Sequence, residues 1–293
     1  MVSTDRIEST LLEALEHASG NGCPPKLAEA MHYAVFPGGA RVRPKLCLAV
    51  AMACAEDSPE LVNAAAASIE LLHCASLVHD DLPCFDDAEI RRGKPSVHRA
   101  FGEDLAVLTG DALIVQAFQV LGRAGRVAPR RLGELLCLIG DSVGGPTGIV
   151  AGQAWESEPK VTLVDYERSK TGSLFAAATA AGAIACGADP NAWGKVGDRI
   201  GEAYQVADDI LDFAGDPEKI GKPVGQDAVH GRPSFAIEHG LKEAKRRLEH
   251  LVSSAIRAIP PCPGRAAMRQ QVAMEARRFT PDEPLRAAEA AVA

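Results

Sequence analysis

The chain has 293 residues, enough to bury a sizeable apolar core in one or two domains. Hydrophobic residues make up 47% and charged residues 24%, which is typical of a soluble globular protein and excludes a wholly disordered or collagen-like chain. The formal net charge of −8 disfavours nucleic acid and anionic membrane surfaces as partners, because both carry negative charge themselves.

Redox and targeting features predict a cytoplasmic protein without a membrane span. The eight cysteines form no CxxC pair and no zinc-ligand spacing, which indicates reduced thiols. The first ten residues lack the apolar core of a signal peptide. One uncharged run, residues 171–188, is long enough to span a bilayer. Because it consists mainly of Ala, Gly, Ser and Thr, it favours a tightly packed internal helix instead.

Apolar residues recur at helical spacing along most of the chain. Taken in order, the pattern predicts helices over residues 5–18, 25–35, 44–55, 58–80, 103–123, 129–143, 163–187, 191–214, 234–257 and 265–278. Alternating apolar runs bounded by hairpin turns are missing, so no strand is predicted. No repeat or low-complexity linker divides the sequence. These features predict an all-α protein, with a single domain over residues 1–293.

Two clusters of aspartates follow long apolar stretches. The first lies in residues 79–87 at the end of a predicted helix, and the second lies in residues 205–212 within another. Their carboxylates belong to Asp80, Asp81, Asp86, Asp208, Asp209 and Asp212. Residues four apart share a helix face, so Asp208 and Asp212 should project together. Carboxylates packed this closely repel one another and need cations, solvent or raised pKa values.

Magnesium and a diphosphate together account for this pattern. Mg²⁺ prefers oxygen ligands and completes its shell with water and substrate phosphates. Basic residues lie near both clusters: Arg91 and Arg92 follow the first, Lys222 follows the second, and Lys170 interrupts another helix. Arg and Lys donors are suited to binding a diphosphate. One pair of aspartates would more often be a solvated face or a helix cap, but two such clusters favour a metal–diphosphate site.

The order of the motifs resembles that of the trans-prenyltransferases, the polyprenyl diphosphate synthases, over roughly residues 25–260. Within this family, the chain is most similar to the bacterial geranylgeranyl diphosphate synthases of carotenoid and bacteriochlorophyll biosynthesis. Besides the first aspartate cluster, the markers are Gly38-Gly39-Ala40-Arg41-Val42-Arg43-Pro44, Arg91-Arg92-Gly93, Lys170-Thr171-Gly172, Gln205 to Asp212, and Gly221-Lys222. The resemblance implies a helical bundle around a central cavity, a homodimer, and Mg²⁺-dependent condensation of isopentenyl diphosphate with an allylic diphosphate.

The resemblance also implies roles for individual residues. The six aspartates would bind Mg²⁺, with Asp80, Asp81 and Asp86 on one side and Asp208, Asp209 and Asp212 on the other. The allylic diphosphate would contact Arg91, Lys170 and Lys222. Isopentenyl diphosphate would contact Arg43, His73 and Arg92. The Thr171 hydroxyl and the Gln205 carbonyl would stabilise the allylic cation. His73 lies seven residues before Asp80, two helical turns back on roughly the same face, which favours a functional role over that of a core histidine.

Four positions depart from the family pattern. Ala40 replaces a lysine that contacts isopentenyl diphosphate, and Arg41 is the nearest candidate to compensate for the lost charge. Gln226 replaces a second lysine, Arg232 a third, and Glu156 an aspartate. None of these changes removes a predicted metal ligand, so we expect a working enzyme.

Product length should depend on the residues just before Asp80. Positions four and five back, Ser76 and Ala75, lie about one turn deeper along the helix, where a growing tail would pass. Farnesyl diphosphate synthases of this family carry a bulky aromatic residue there. The small side chains therefore favour a twenty-carbon product, geranylgeranyl diphosphate, over a fifteen-carbon one.

Three other functions remain open. A farnesyl diphosphate synthase would share every motif and differ only in the depth of its cavity. A non-catalytic subunit of another prenyltransferase would be consistent with the missing lysines at Ala40 and Gln226, although its aspartates should be eroded. A terpene cyclase is disfavoured, because its second metal motif is looser than the one here and it needs no second diphosphate site such as Arg43 and Arg92 would form.

Overall fold

The computed structural model describes residues 4–36, 38–56, 58–159, 168–214 and 234–279. These ranges contain thirteen α-helices. Those of the first half are α1 (Thr4–Ala18), α2 (Pro25–Val35), α3 (Val42–Ala53), α4 (Pro59–Asp80), α5 (Val97–Phe101), α6 (Glu103–Ala124) and α7 (Pro129–Val143). The remainder are α8 (Ile149–Ala154), α9 (Ser173–Ala185), α10 (Pro190–Ala214), α11 (Phe235–His239), α12 (Leu241–Ala258) and α13 (Arg265–Phe279). The predicted all-α class is confirmed.

Besides the short helices α5 and α8, which the sequence does not predict, three local features differ from the sequence-based prediction. A two-stranded antiparallel hairpin, β1 (Ile90–Arg91) and β2 (Lys94–Pro95), occurs where no strand was expected. The helix predicted over 163–187 has a single π-helical turn at Arg168–Gly172 before α9 begins, and its first residues lie outside the described ranges. The helix predicted over 234–257 is broken at Gly240, whose φ of 78° is outside the α-helical region.

The core is centred on α4 and α9, which are rich in small residues. The alanine run Ala64–Ala67 is buried in α4, and nearly every residue of α9 is buried. Alanine side chains let neighbouring helix backbones approach closely, and they cost little conformational entropy in a helix. Most of the uncharged run 171–188 therefore forms an internal helix, as the sequence predicts.

Two described segments are long and apolar enough to cross a membrane by length and composition. In α4, 78% of the most apolar stretch is buried inside the protein, which is the pattern of a core helix. In the segment Glu103–Val127, which contains α6, only 44% is buried. α4 packs against α6, and Asp80, the last residue of α4, is half-buried.

Candidate active site

The first aspartate cluster begins where α4 ends. Asp81 is almost fully buried and accepts hydrogen bonds from the Arg91 guanidinium, with Nε at 3.0 Å from Oδ1 and 3.2 Å from Oδ2 and a further bond from Nη2. Burial raises the pKa of Asp81, while Arg91 acts in the opposite direction. The hairpin β1–β2 carries Arg91 to this position. Asp81 therefore forms an ion pair with Arg91.

Asp80 has a different environment from its neighbour. Its Oδ1 atom is buried and has no hydrogen-bond partner among the described residues. In the described part of the chain Lys170 lies close to it, with Nζ 3.7 Å from Oδ1, beyond hydrogen-bond range. Burial raises the pKa of Asp80, and Lys170 partly offsets this effect. A buried carboxylate oxygen without a hydrogen bond is costly, so Asp80 is suited to binding a further cation.

The second cluster lies near the end of α10. Asp209 is 1% exposed, and its two oxygens accept hydrogen bonds from the Gln205 amide at 2.9 Å and from the Phe235 backbone N–H at 2.7 Å. Burial raises the pKa of Asp209 despite these bonds. Each carboxylate oxygen keeps a second lone pair that could face a cation. Asp212 is also buried, and Asp208 is half-buried on the same helix.

The π-helical turn Arg168–Gly172 links the two clusters. Lys170 approaches Asp80 of the first cluster, and the Thr171 hydroxyl donates to Gln205 Oε1 at 2.9 Å. Gln205 in turn donates to Asp209 of the second. Because Thr171 gives its proton to Gln205, its oxygen presents only lone pairs to other neighbours. A single turn of chain thus brings both aspartate clusters and two dipolar oxygens into one site.

The donor set is compatible with Mg²⁺, whose preferred ligands are carboxylate oxygens. Asp80 Oδ1 supplies a buried oxygen without a hydrogen bond in the described part of the chain. Within the described ranges, no three Asp, Glu, His or Cys side chains lie close enough to hold one ion alone. Mg²⁺ is usually bound by one or two carboxylates, with phosphates and water completing its shell.

A cationic cluster formed by Arg43, His73 and Arg92 lies beside this site. The Arg43 Nη1 atom is 3.3 Å from His73 Nε2, and its guanidinium stacks 4.5 Å from the centre of the Phe175 ring. Burial, followed by the charges of Arg43 and Arg92, lowers the pKa of His73 well below 6.5. The neutral ring therefore accepts a hydrogen bond from Arg43. The structure thus brings together the three residues predicted to contact isopentenyl diphosphate.

A tight turn positions Arg92. Arg92 and Gly93, with φ values of 54° and 77°, form the two-residue loop between β1 and β2. Left-handed geometry at both central residues is typical of a type I′ hairpin turn. The Arg92 guanidinium lies against Gly39, about 3 Å from the place a Cβ would occupy there. The glycine of the Arg91-Arg92-Gly93 motif is thus required by the turn, which directs two successive arginines to different parts of the site.

Arg41 does not replace the lysine missing at Ala40. It is 2% exposed and donates to Glu8 on α1 at 2.8 and 3.1 Å, to Glu70 on α4 at 2.7 Å, and to the Val35 carbonyl at 2.9 Å. Although burial opposes its charge, these carboxylates raise the pKa of Arg41. The sequence left open whether Arg41 compensates for Ala40, and in the structure its side chain instead joins α1, α3 and α4.

The product-length positions lie on α4. Ala75 is 1% exposed within the core, and the half-buried Ser76 donates its hydroxyl to the His73 carbonyl at 2.9 Å. Asp86 is half-buried, and its N–H donates to the Asp80 carbonyl at 3.0 Å. Predictions for three further positions, Lys222, Gln226 and Arg232, lie outside the described residues.

Sequence reasoning missed several residues that hold the predicted ones in place. Glu156 Oε1 accepts from Lys170 Nζ at 2.5 Å, although the sequence showed Glu156 only as a departure from the family pattern. Glu70 was not singled out, although a glutamate inside an alanine-rich helix is an unusual residue that could have been noticed. Such roles depend on partners 14 and 29 residues away in the chain.

Comparison with known proteins identifies the fold and then the family. A geranyltransferase from Helicobacter pylori, solved in complex with magnesium and isoprenyl diphosphate, superposes with a TM-score of 0.76 at 28% identity, covering 94% of this chain and 98% of that one. The fold is therefore that of the isoprenoid synthases. Residues 24–264 match the family model for polyprenyl synthetase, and the chain belongs to this family.

Two curated relatives are more similar in sequence. The geranylgeranyl diphosphate synthase of Cereibacter sphaeroides is 52% identical over 281 residues, covering 96% of this chain and 98% of the relative. The enzyme of the same name from Rhodobacter capsulatus is 50% identical over 274 residues, covering 94% and 95%. The family resemblance predicted from the motifs is confirmed.

Proposed function

We propose that this protein is a geranylgeranyl diphosphate synthase, which joins isopentenyl diphosphate head-to-tail to an allylic diphosphate. The observation that carries the proposal is the continuous set of contacts from Asp80 through Lys170, Thr171 and Gln205 to Asp209. This chain of contacts joins the two carboxylate clusters, and together with the Arg43–His73–Arg92 cluster it supports a single site for two diphosphates. Two relatives that are 52% and 50% identical in sequence, both named for this activity, support the same conclusion.

The first step in this proposal is departure of the diphosphate group from the allylic substrate, which leaves an allylic cation. Negative charge grows on the diphosphate as its bond to carbon breaks, and the cations Arg91 and Lys170, with Lys222, stabilise it there. Mg²⁺ bound by Asp80 and the other aspartates would supply Lewis-acid stabilisation of that leaving group. The lone pairs of Thr171 and the Gln205 oxygen are suited to stabilising the allylic cation without capturing it.

The second step requires a held nucleophile. Arg43, His73 and Arg92 bind the diphosphate of isopentenyl diphosphate, so that its double bond faces the allylic cation. A neutral His73 donates one N–H while accepting from Arg43, which the depressed pKa of its ring favours. After the carbon–carbon bond forms, a proton passes to the departing diphosphate. No dedicated side-chain base is needed.

The product tail extends along α4 in this proposal. Asp80 would hold the diphosphate end through a bound Mg²⁺, and the tail passes Ser76 and Ala75 one turn deeper. Alanine and serine leave room for a fourth isoprene unit. A shallower cavity would instead make the enzyme a farnesyl diphosphate synthase.

We propose that the active form is a homodimer joined through α6. Val107, Leu108 and Val115 are 42%, 53% and 56% exposed on one face of this helix. Contiguous apolar surface of this kind is costly in water and typical of an interface. Light scattering coupled to gel filtration should give a dimer mass, and Leu108→Glu should shift it towards the monomer. None of the eight cysteines, all of which lie in the described ranges, forms a disulfide, which supports the cytoplasm as the location.

A product assay tests the proposed reaction. Purified protein is incubated with Mg²⁺, labelled isopentenyl diphosphate and, separately, dimethylallyl, geranyl and farnesyl diphosphates, and the products are dephosphorylated and separated by chromatography. Geranylgeraniol as the main product is expected. Farnesol alone would contradict the product length but keep the reaction class. No elongation with any primer would contradict catalysis and favour the non-catalytic subunit.

A further inference from the structure

The carboxylate of Glu156 holds the Lys170 ammonium. Lys170 Nζ lies 2.5 Å from Glu156 Oε1 but 3.7 Å from Asp80 Oδ1. The other Glu156 oxygen accepts a hydrogen bond from the Gln153 amide at 3.0 Å. Both oxygens of Glu156 therefore have protein partners, and the ammonium lies closer to Glu156 than to Asp80.

The backbone reinforces this placement. A Cβ on Gly152 would lie 2.4 Å from the Lys170 backbone nitrogen and 2.6 Å from its Cα, so α8 packs directly on the π-helical turn. Gly152 and Glu156 are four residues apart at the end of this short helical segment. Their combined effect is to fix the main chain of Lys170 through one residue and its side chain through the other.

Asp80 and Asp81 differ in their hydrogen bonds because their neighbouring cations lie at different distances. Arg91 closes directly on Asp81 and uses both of its oxygens. Lys170 is kept outside hydrogen-bond range of Asp80, which leaves the buried Oδ1 atom without a hydrogen bond in the described part of the chain. If Lys170 closed on Asp80 in the same way, its charge would compete with any metal ion for that oxygen.

We infer that Glu156 is a positioning residue that holds the Lys170 ammonium away from Asp80, keeping Asp80 Oδ1 open to the metal ion that accompanies a diphosphate. This inference rests on the proposed function. In this role the Glu156 carboxylate competes with the Asp80 carboxylate for the Lys170 ammonium. At 3.7 Å from Asp80 Oδ1, the Lys170 ammonium is still close enough to contact a diphosphate bound next to that oxygen.

Calorimetric titration of Mg²⁺ into protein with inorganic diphosphate tests the inference without turnover. In Glu156→Gln, Lys170 should shift towards Asp80, and the Mg²⁺ concentration at half-saturation should rise about tenfold. Glu156→Asp, which keeps the charge, should recover most of the affinity. Glu158→Gln removes an exposed carboxylate two residues away and should leave the midpoint unchanged.

The decisive comparison uses a background without the lysine charge. In Lys170→Gln, adding Glu156→Gln should change the Mg²⁺ midpoint by less than twofold, because Glu156 acts through the lysine. An equal loss in both backgrounds would overturn the inference and show that Glu156 only supports the local fold. Unchanged affinity in Glu156→Gln alone would also overturn it. Failure of the unaltered protein to bind Mg²⁺ with diphosphate would instead contradict the proposed function.

Discussion

Cations at the candidate site differ in how far protein neighbours satisfy them. Arg41 is 2% exposed and donates to Glu8 and Glu70, so a diphosphate cannot reach it. Arg43, two residues later, stacks on Phe175 and has a buried Nε without a hydrogen bond in the described structure. A buried guanidinium with an unused donor is suited to binding an anion.

Restoring the family's lysine at position 40 should strengthen binding of isopentenyl diphosphate. Ala40 is exposed, so the longer side chain would meet no packing barrier. A charge-assisted hydrogen bond contributes about 1.5–3 kcal/mol, of which part is lost in ordering the lysine. Steady-state kinetics of Ala40→Lys should therefore show a KM for isopentenyl diphosphate several-fold lower, with kcat little changed. Ala40→Gln is the neutral control, and an equal decrease in that variant would contradict the role of charge.

Enlarging Ala75 should shorten the product. The residue is fully buried one turn below Asp80, so a phenylalanine ring would occupy the space assigned to the fourth isoprene unit. We expect Ala75→Phe to form mainly farnesyl diphosphate, measured by chromatography after dephosphorylation. Thermal unfolding should accompany the assay, since overpacking of a core costs about 1–3 kcal/mol. A folded variant with the original product spectrum would contradict the assignment of this position.

At the scale of elements, contact between α4 and α6 determines where the first aspartate cluster lies. The His79 ring, just before Asp80, covers Gly110 of α6, and its Nε2 atom lies 3.2 Å from the Val107 carbonyl. A Cβ on Gly110 would be 2.0 Å from that nitrogen. The His79 ring can occupy this position only because Gly110 has no side chain.

Whether Gly110→Ala raises or lowers the free energy of unfolding should depend on the side chain at position 79. In the unaltered protein the new methyl displaces His79, so we expect a loss of about 1 kcal/mol in the free energy of unfolding. In a His79→Ala background the clash is absent, and the better helix propensity of alanine should stabilise by about 0.5–1 kcal/mol. Denaturant unfolding of the four proteins measures both effects. Equal effects in the two backgrounds would rule out the proposed contact.

For the whole molecule, the buried cationic cluster should make stability depend on pH. Burial and neighbouring arginines lower the pKa of His73 below its ordinary value of 6.5. As pH falls below 6.5, the unfolded chain binds a proton that the folded protein excludes, so stability falls.

His73→Gln should remove this component, because glutamine has no proton to gain. When the pH falls from 7.5 to 5.5, the free energy of unfolding should decrease by up to about 1 kcal/mol more in the unaltered protein than in the variant. One pKa unit corresponds to about 1.4 kcal/mol. Unfolding free energies at the two pH values measure the difference. His17→Gln, at an exposed position, is the control and should behave like the unaltered protein. Equal losses in His73→Gln and the unaltered protein would contradict a buried neutral histidine.

Much of the fold and of the candidate site is predictable from residue types and their spacing. Helical periodicity is a local property, so α4 and α10 were predicted within one residue at each end. Clustered carboxylates with nearby basic residues carry their chemistry in the sequence itself, which is why the metal–diphosphate site and the family could be inferred. His73 could be paired in function with Asp80 because both lie on one helix.

Tertiary structure decided the roles that depend on contacts between distant parts of the chain. Arg41 meets Glu70, and Lys170 meets Glu156, only after their helices pack. The π-helical turn and the type I′ hairpin likewise depend on geometry rather than apolar periodicity. Charge and hydrophobic spacing determine which side chains are present on each element. Which carboxylate pairs closely with a protein cation, as Asp81 does, and which keeps an oxygen without a hydrogen bond in the described structure, as Asp80 does, depends on distances that packing alone establishes.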